Sequence, residues 1–216
     1  MVSEHLYRAY FDSLLSGDKK VCHEIVTNLL SRQTDIRSIY IDLFQNSLYE
    51  IGALWEQNKI SVAKEHLATA ITESLLTLLY PVLFSADHCG KKAVVSCAIN
   101  EYHQIGGKMV ADIFEINGWD SHFLGANTPL ESLLQHIEDY QPDVLALSLA
   151  MYSNLPGLLK TTNTIRGNFV HLDIVFGGQA FRWGGRDKML QIDRTQYFPS
   201  LLDFEKSIRN NQKRQT

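Results

Sequence analysis

The chain has 216 residues, of which 45% are hydrophobic and 20% are charged, and its formal net charge is −4 at pH 7. This composition is ordinary for a soluble globular protein with one large domain or two small ones. The negative charge argues against a general nucleic-acid-binding surface, so we expect no direct binding to DNA.

The cysteines and the N-terminus predict a cytoplasmic protein. Cys22, Cys89 and Cys97 form no CxxC pair, and we expect reduced thiols rather than a disulfide framework. The first residues lack the basic-then-apolar pattern of a signal peptide. No uninterrupted apolar run approaches the roughly 20 residues that a membrane span needs, so we expect no membrane partner.

The first part of the chain, to residue 86, has apolar residues at helical spacing. The first stripe contains Leu6, Tyr10 and Leu14, and the last contains Leu67, Ile71, Leu75 and Leu78. Four amphipathic helices with short connections predict a four-helix bundle. Thr34 and Ser61 are the predicted N-caps of the third and fourth helices, because each offers a side-chain oxygen to the first turn.

In the second part of the chain, strands alternate with helices. The predicted strands span residues 94–99, 121–124, 144–149 and 174–176, and the predicted helices span 104–117, 129–140, 155–167 and 200–211. This βαβ order predicts an α/β fold with a Rossmann-like, flavodoxin-like doubly wound parallel sheet. The predicted domains are therefore residues 1–86 and 87–216.

A histidine follows the first predicted strand with an acid beside it. Glu101 lies two residues before His103 and can accept one ring N–H, which fixes the tautomer of the imidazole. Gly106 and Gly107 keep the start of the next helix open to close approach. This pattern indicates one oriented imidazole presented to a metal.

Small residues follow the other three predicted strands. Gly125 follows the second strand, Ser148 and Leu149 close the third, and Gly177 and Gly178 close the fourth. Because the carboxyl ends of parallel strands meet at one edge of a sheet, we expect these residues to share one site with His103. Ser148 offers a hydroxyl at depth, and the glycine pair leaves room for a long ligand tail.

A known motif unites these elements. The cobalamin-binding motif Asp/Glu-x-His-x-x-Gly…Ser-x-Leu…Gly-Gly resembles three parts of this chain, which are Glu101-x-His103-x-x-Gly106, Ser148-Leu149 and Gly177-Gly178. One departure is Ala150, where the motif has leucine. The resemblance implies that cobalamin binds with its dimethylbenzimidazole displaced into the sheet domain. It also implies that His103 is the lower axial ligand of cobalt and that the bundle covers the upper face.

A second motif lies in the helical part. Trp55 is followed after nine residues by Glu65-His66, which resembles the signature of CarH-type cobalamin photoreceptors. The resemblance implies that the tryptophan and the acid accommodate a 5′-deoxyadenosyl group, so adenosylcobalamin is favoured over methylcobalamin. In the light-responsive repressors of that family a histidine directly follows the tryptophan and ligates cobalt after photolysis. This chain has Glu56 there, a harder ligand.

The resemblance implies a cobalamin-dependent light sensor rather than an enzyme. Because no winged-helix DNA-binding module precedes the bundle, we expect signalling through an output protein or a change in homo-oligomeric state. Some relatives also carry a bilin, and the sequence leaves a second chromophore of that kind open.

Other classes of protein share parts of this pattern. A corrinoid methyl-carrier protein of a methyltransferase system would have the same bundle, sheet and histidine ligand. A heme- or bilin-binding regulator would use His103 as an iron ligand or as a pocket residue. A mutase fits least, because the chain contains no barrel to hold a substrate.

Overall fold

The computed structural model describes residues 2–213, so residues 214–216 of the predicted second domain lie outside the described part. The chain divides into two compact units, Met1–Leu83 and Phe84–Thr216. The division falls three residues before the boundary predicted from the sequence. The three cysteines are in the thiol form and outside any disulfide, with Cys22 and Cys97 buried and Cys89 exposed.

Unit 1 is helical, with four helical segments as predicted. They are α1 (Glu4–Ser16), α2 (Lys19–Ser31), a third segment made of α3 (Ile36–Ser38), a π-helical stretch (Ile39–Gln45) and α4 (Asn46–Glu56), and a fourth made of α5 (Val62–Leu76), a 3₁₀ turn (Thr77–Leu79) and α6 (Tyr80–Leu83). The apolar side of each segment is buried in the core of the unit, where Tyr10, Tyr40 and Phe44 are fully inaccessible to solvent. Burial of this apolar surface holds the segments together.

One of the two predicted helix caps is wrong. The Ser61 hydroxyl accepts a hydrogen bond from the Lys64 N–H at the start of α5, as predicted. The cap of α3 is Asp35 instead of Thr34, because the Asp35 carboxylate accepts from the Arg37 N–H at 3.1 Å. The Thr34 N–H donates to the Leu29 carbonyl and so helps to end α2. A carboxylate is also the stronger acceptor and suits the positive end of a helix.

The fourth segment is the one helix of the described residues that is long and apolar enough to cross a membrane, at 22 residues. It is not an uninterrupted apolar run, because it contains Lys64, Glu65 and Glu73. Its apolar side is buried in unit 1, through residues that include Ala68, Ile71, Leu75, Leu76, Leu79 and Leu83. We interpret it as the core helix of the bundle.

Unit 2 is a five-stranded parallel sheet with helices. The strands are β1 (Lys92–Cys97), β2 (Asp120–Phe123), β3 (Val144–Ser148), β4 (Asp173–Gly177) and β5 (Thr195–Phe198), and the helices are α7 (Ile105–Ile116), α8 (Leu130–Tyr140), α9 (Leu155–Asn168), α10 (Arg186–Met189) and α11 (Leu201–Lys213). The strand order β2-β1-β3-β4-β5 is the flavodoxin-like order. The predicted α/β fold class is thereby confirmed.

The sequence prediction missed the fifth strand. Thr195–Phe198 has only four residues, none of them fully buried, so it lacks the apolar run that marks the central strands. It pairs in parallel with β4, where Phe176 is opposite Tyr197. An edge strand needs only one paired side, which is why a weak local signal suffices.

The sheet has an apolar core on each face. Val94, Leu145 and Ile174 belong to the core that contains residues of α8 and α9. Their neighbours Val95 and Ala146 belong to the core that contains residues of α7 and α11. Burial on both faces explains why the strands read as continuous apolar runs, and it leaves the strand ends as the accessible part of the sheet.

Candidate functional site

The strongest feature of the carboxyl edge is the pair of Glu101 and His103. The Glu101 carboxylate is fully buried, and its Oε1 accepts hydrogen bonds from the His103 backbone N–H at 3.0 Å and the ring Nδ1 at 2.6 Å. An ionised carboxylate can only accept, so Nδ1 carries the proton and Nε2 carries the ring lone pair. The ring is 46% exposed. This is the orientation that a metal-binding imidazole requires.

The second oxygen of Glu101 ties this loop to the one that follows β3. Oε2 accepts from the backbone N–H groups of Ala150 at 3.0 Å and Met151 at 2.8 Å, and from the Asn154 side-chain amide at 3.4 Å. The carboxylate therefore binds five donors in total. One buried group orients the histidine and fixes the neighbouring loop.

These contacts keep Glu101 ionised. Burial by itself raises the pKa of the carboxyl, but the hydrogen bonds from the His103 ring and from the backbone N–H groups of Met151, His103 and Ala150 outweigh it, and the pKa falls to about 2. The acid is therefore a permanent acceptor for the imidazole N–H near neutral pH.

Cys97, at the end of β1, lies against the same loop. Its thiol donates a weak hydrogen bond to the His103 carbonyl, with Sγ and the oxygen 3.9 Å apart. Burial raises the pKa of Cys97 to about 12, and the charge of Glu101 adds to the effect. The thiol is therefore protonated near neutral pH and acts as a small buried donor.

Two asparagines complete the loops, and neither was among the predicted site residues. Asn127 has a positive φ of 51°, and its side-chain oxygen accepts from the Asn100 N–H at 2.9 Å while its amide donates to the Tyr102 hydroxyl at 3.3 Å. Asn154 donates to the Asn100 carbonyl at 3.0 Å. These contacts join residues far apart in sequence. The one local signal was asparagine, which tolerates left-handed backbone in turns.

The glycines after β1 differ in how tightly they are packed. A Cβ on Gly106 would lie at an ordinary 3.7 Å from the Ser148 hydroxyl, whereas a Cβ on Gly107 would be 3.1 Å from the Phe123 ring. Gly107 therefore lets α7 begin close to the sheet. Ser148 is half-buried, with its side chain directed at this helix start. The predicted proximity of Gly106 and Ser148 is present.

Close backbone approach explains the other glycines. Gly125 has a φ of +78° and its carbonyl accepts from the Cys97 N–H at 3.1 Å. A Cβ on Gly177 would be 2.9 Å from the Phe198 carbonyl oxygen, and one on Gly178 would overlap the Leu149 carbonyl. The glycine pair thus has a structural reason of its own, and its part in binding a cofactor tail stays a prediction.

Leu149 lies beneath the edge and not on its surface. Its side chain is fully buried in the core that contains residues of α8 and α9, while its backbone N–H donates to the Gly177 carbonyl at 3.0 Å. The side chain of Leu149 therefore supports the strand ends, and any contact with a cofactor would come from its neighbours at the rim.

Within unit 1, the predicted upper-face residues lie at the facing ends of two consecutive helices. Trp55, in the last turn of α4, is 37% exposed, and the helix ends with a hydrogen bond from the Asn58 N–H to the Trp55 carbonyl. Glu65, in the first turn of α5, accepts from His66 Nδ1 at 2.6 Å and from the Thr69 hydroxyl at 3.0 Å. Glu56 beside the tryptophan is exposed.

The donor set suits a metal that carries its own ring of ligands. The described residues contain no cluster of three His, Cys, Asp or Glu side chains able to hold a bare ion. His103 offers one oriented nitrogen at a rim of small residues, which suits one axial position of cobalt in a corrin. His103 would hold such a group, and Glu101 would fix the ring.

Comparison with known proteins gives the same cofactor. A "B12 binding domain" family model matches residues 91–193, and a second model of the same description matches residues 6–80. Two relatives are the HTH-type transcriptional repressor CarA of Myxococcus xanthus and dimethylamine corrinoid protein 1 of Methanosarcina acetivorans. The first is 36% identical over 68% of this chain and 48% of its own length. The second is 20% identical over 65% of this chain and 68% of its own length.

A solved structure has the same fold. The monomethylamine corrinoid protein of Methanosarcina barkeri aligns with a TM-score of 0.83 at 14% identity, over 95% of this chain and 98% of its own. This chain spans about half the length of CarA. The first family model covers most of the sheet unit, and the second covers most of the helical unit. The chain therefore belongs to the B12-binding proteins.

Proposed function

We propose that this protein is a cobalamin-dependent regulator that binds adenosylcobalamin through His103 and responds to light. The observation that carries the proposal is the hydrogen bond between the buried Glu101 carboxylate and the His103 ring. A histidine that only needed solvation would not require a carboxylate held by five donors.

In this proposal each residue of the carboxyl edge has a defined task. Glu101 accepts the Nδ1 hydrogen bond, so Nε2 of His103 carries the lone pair that would bind the metal, and the hydrogen bond increases the basicity of that nitrogen. Ser148, half-buried beside the start of α7, offers a hydroxyl to the displaced tail. Adenosylcobalamin, when bound, supplies a weak cobalt–carbon bond that green light breaks.

The helical unit supplies the preference for the adenosyl group. The indole of Trp55 offers a broad apolar surface that is 37% exposed, and such a surface packs well on a nucleoside. The Glu65 carboxylate can accept hydrogen bonds from ribose hydroxyls or the adenine amine. Its existing contacts with His66 and Thr69 hold it in place.

A regulatory role is supported by the similarity to a transcriptional repressor. CarA is named as an HTH-type repressor, and 152 residues of this chain align with it at 36% identity. We propose that the signal leaves this protein through an output protein or through a change in homo-oligomeric state. Loss of the adenosyl group would then favour a different conformation or association state of the protein.

The test is to reconstitute the chain with adenosylcobalamin in darkness and then illuminate it with green light. We expect a change in the visible spectrum and a change in mass by light scattering. A control loaded with cyanocobalamin, which lacks the adenosyl group, should show neither change. An adenosyl-loaded sample whose spectrum and mass are both unaltered by light would contradict light sensing and leave cobalamin binding intact.

The second candidate function is methyl carriage within a methyltransferase system. It is favoured by the similarity to dimethylamine corrinoid protein 1, which extends over 144 residues. Methyl transfer to a thiol from the methylcobalamin-loaded chain, in the presence of a corrinoid-dependent methyltransferase, would support this function. No transfer, together with a light response of the adenosyl form, would exclude it.

A further inference from the structure

A pair of histidines faces each other away from the residues that hold His103. His122 lies on the edge strand β2 and His136 on α8, and both side chains are half-buried. The Nδ1 of His122 and the Nε2 of His136 are 3.2 Å apart. We propose that these two nitrogens bind a divalent transition-metal ion, with Cu²⁺ bound most tightly.

The two rings are held in position by a tyrosine. Tyr140 stacks on His122 with ring centroids 3.8 Å apart and an interplanar angle of 20°. It also stacks more loosely on His136, at 5.7 Å. Its hydroxyl donates to the Asp120 carbonyl at 3.0 Å, and the Lys92 ammonium lies 4.9 Å from its ring centre. The tyrosine is thus anchored at both ends, and the imidazoles are pre-oriented.

The distance between the nitrogens suits a shared metal ion. Metal–nitrogen bonds of about 2.0–2.1 Å at angles of about 90–109° place two imidazole nitrogens roughly 2.8–3.4 Å apart. The observed 3.2 Å lies inside that range. Without metal, one of the facing nitrogens donates a hydrogen bond to the other, so the donor ring carries its proton on the facing side. A cation would accept a lone pair from each facing nitrogen, and the displaced proton would move through water to the outer nitrogen of the donor ring.

The composition of the pair predicts which ions bind and how firmly. Imidazole suits Cu²⁺, Ni²⁺ and Zn²⁺, and affinity for nitrogen sites peaks at Cu²⁺. Because the described residues contain no cluster of three metal-binding side chains, water completes the shell and the ion should exchange readily. A bound ion would also link β2 to α8 and stabilise the folded chain, since the unfolded chain lacks the site.

The experiment titrates the metal-free full chain with Cu²⁺ by calorimetry and records its electron paramagnetic resonance spectrum. The parent in this test carries His103→Ala, which removes the exposed histidine of the carboxyl edge. We expect one bound ion with two coupled imidazole nitrogens. His122→Ala and His136→Ala should each weaken binding by at least about tenfold, because loss of an outer-shell partner alone typically costs that much.

His171→Ala is the matched control, because His171 is an exposed histidine just before β4, and it should leave Cu²⁺ binding unchanged. Circular dichroism of each variant separates a lost ligand from a lost fold. If His122→Ala unfolds the chain, His136→Gln on the helix tests the same site. Unchanged Cu²⁺ affinity in folded variants at both positions would overturn the proposal, as would absence of Cu²⁺ binding in the His103→Ala parent.

Discussion

Glu101 shows at the scale of one residue how a single buried charge can serve two structural purposes. Its Oε1 orients the His103 ring, and its Oε2 holds the loop after β3 through Met151. A neutral group of the same shape could not accept all these hydrogen bonds. The position therefore requires a carboxylate, and its ionisation links the orientation of His103 to the local fold.

Replacement of His103 by alanine should remove the proposed axial ligand of cobalt. We expect the visible spectrum of the cobalamin complex to shift and the affinity to fall by more than about 100-fold, since the effect should exceed the 10–100-fold cost of losing an outer-shell partner. Contacts with the tail should retain part of the binding. Spectral titration measures both, with His171→Ala as the control. A histidine-ligated spectrum that persists in His103→Ala would refute the axial assignment.

The Glu101→Gln substitution should weaken cobalamin binding less than His103→Ala does. The glutamine keeps the size of the side chain but brings an NH₂ group against backbone donors, so the His103 ring loses its fixed orientation. We expect cobalamin affinity to fall by about 10–100-fold with the fold retained. Glu131→Gln, at an exposed position in α8, is the control. An affinity equal to that of the parent would mean that the carboxylate does not position the ligand.

The lowered pKa of Glu101, about 2 against an ordinary value of 4.5, also predicts an acid dependence. A depressed folded-state pKa gives stability that is present above pH 4.5 and is lost as pH falls toward 2. The contribution is on the order of 3 kcal/mol. Urea unfolding at pH 5, 4 and 3 should show that the free energy of unfolding falls less steeply with acid in Glu101→Gln than in the parent or Glu131→Gln. Equal slopes of this free energy against pH would contradict the lowered pKa of Glu101.

At the scale of elements, the ends of the parallel strands bring together residues that the sequence keeps apart. The order of strands and helices was predictable from alternating apolar runs, and His103 and Gly106 could be placed from their position after β1. The contacts of Asn127 and Asn154 could not be predicted, because each partner is more than 20 residues away in the sequence. The short strand β5 was also missed, since its pairing with β4 outweighs a weak local pattern.

The strand ends predict a strong effect of Gly178→Ala. Gly178 has a φ of +119°, and a Cβ there would overlap the Leu149 carbonyl. We expect a loss of about 2–3 kcal/mol in the free energy of unfolding, or failure to fold, because strained backbone of this kind costs about that much. Urea unfolding measures it. Gly167→Ala, at a helical glycine with open space around it, should be neutral or stabilising, and equal effects at both positions would contradict this explanation.

For the whole molecule, the proposed function divides the work between the two units. The sheet unit carries the residues that would hold cobalamin, with His103 at an edge built by contacts between loops. The helical unit carries Trp55 and Glu65 at the facing ends of α4 and α5. The motif in each unit was visible in the sequence, because each motif consists of fixed spacings. The structural reason for the glycine pair could not be predicted, because it depends on backbone contacts between strand ends.

This division predicts that Trp55→Ala separates binding from discrimination. His103 and the strand ends are unchanged in the variant, so we expect cobalamin itself to bind with nearly the parental affinity. The preference for adenosylcobalamin over methylcobalamin should fall, by about tenfold if the indole contributes the 1–2 kcal/mol of an aromatic contact with buried area. Paired titrations with both cofactors measure the ratio. Trp183→Ala, at a tryptophan of the sheet unit that is 76% exposed, is the control. A parental ratio in Trp55→Ala would remove the tryptophan from the proposed adenosyl site, whereas equal weakening of both cofactors would assign it to corrin binding instead.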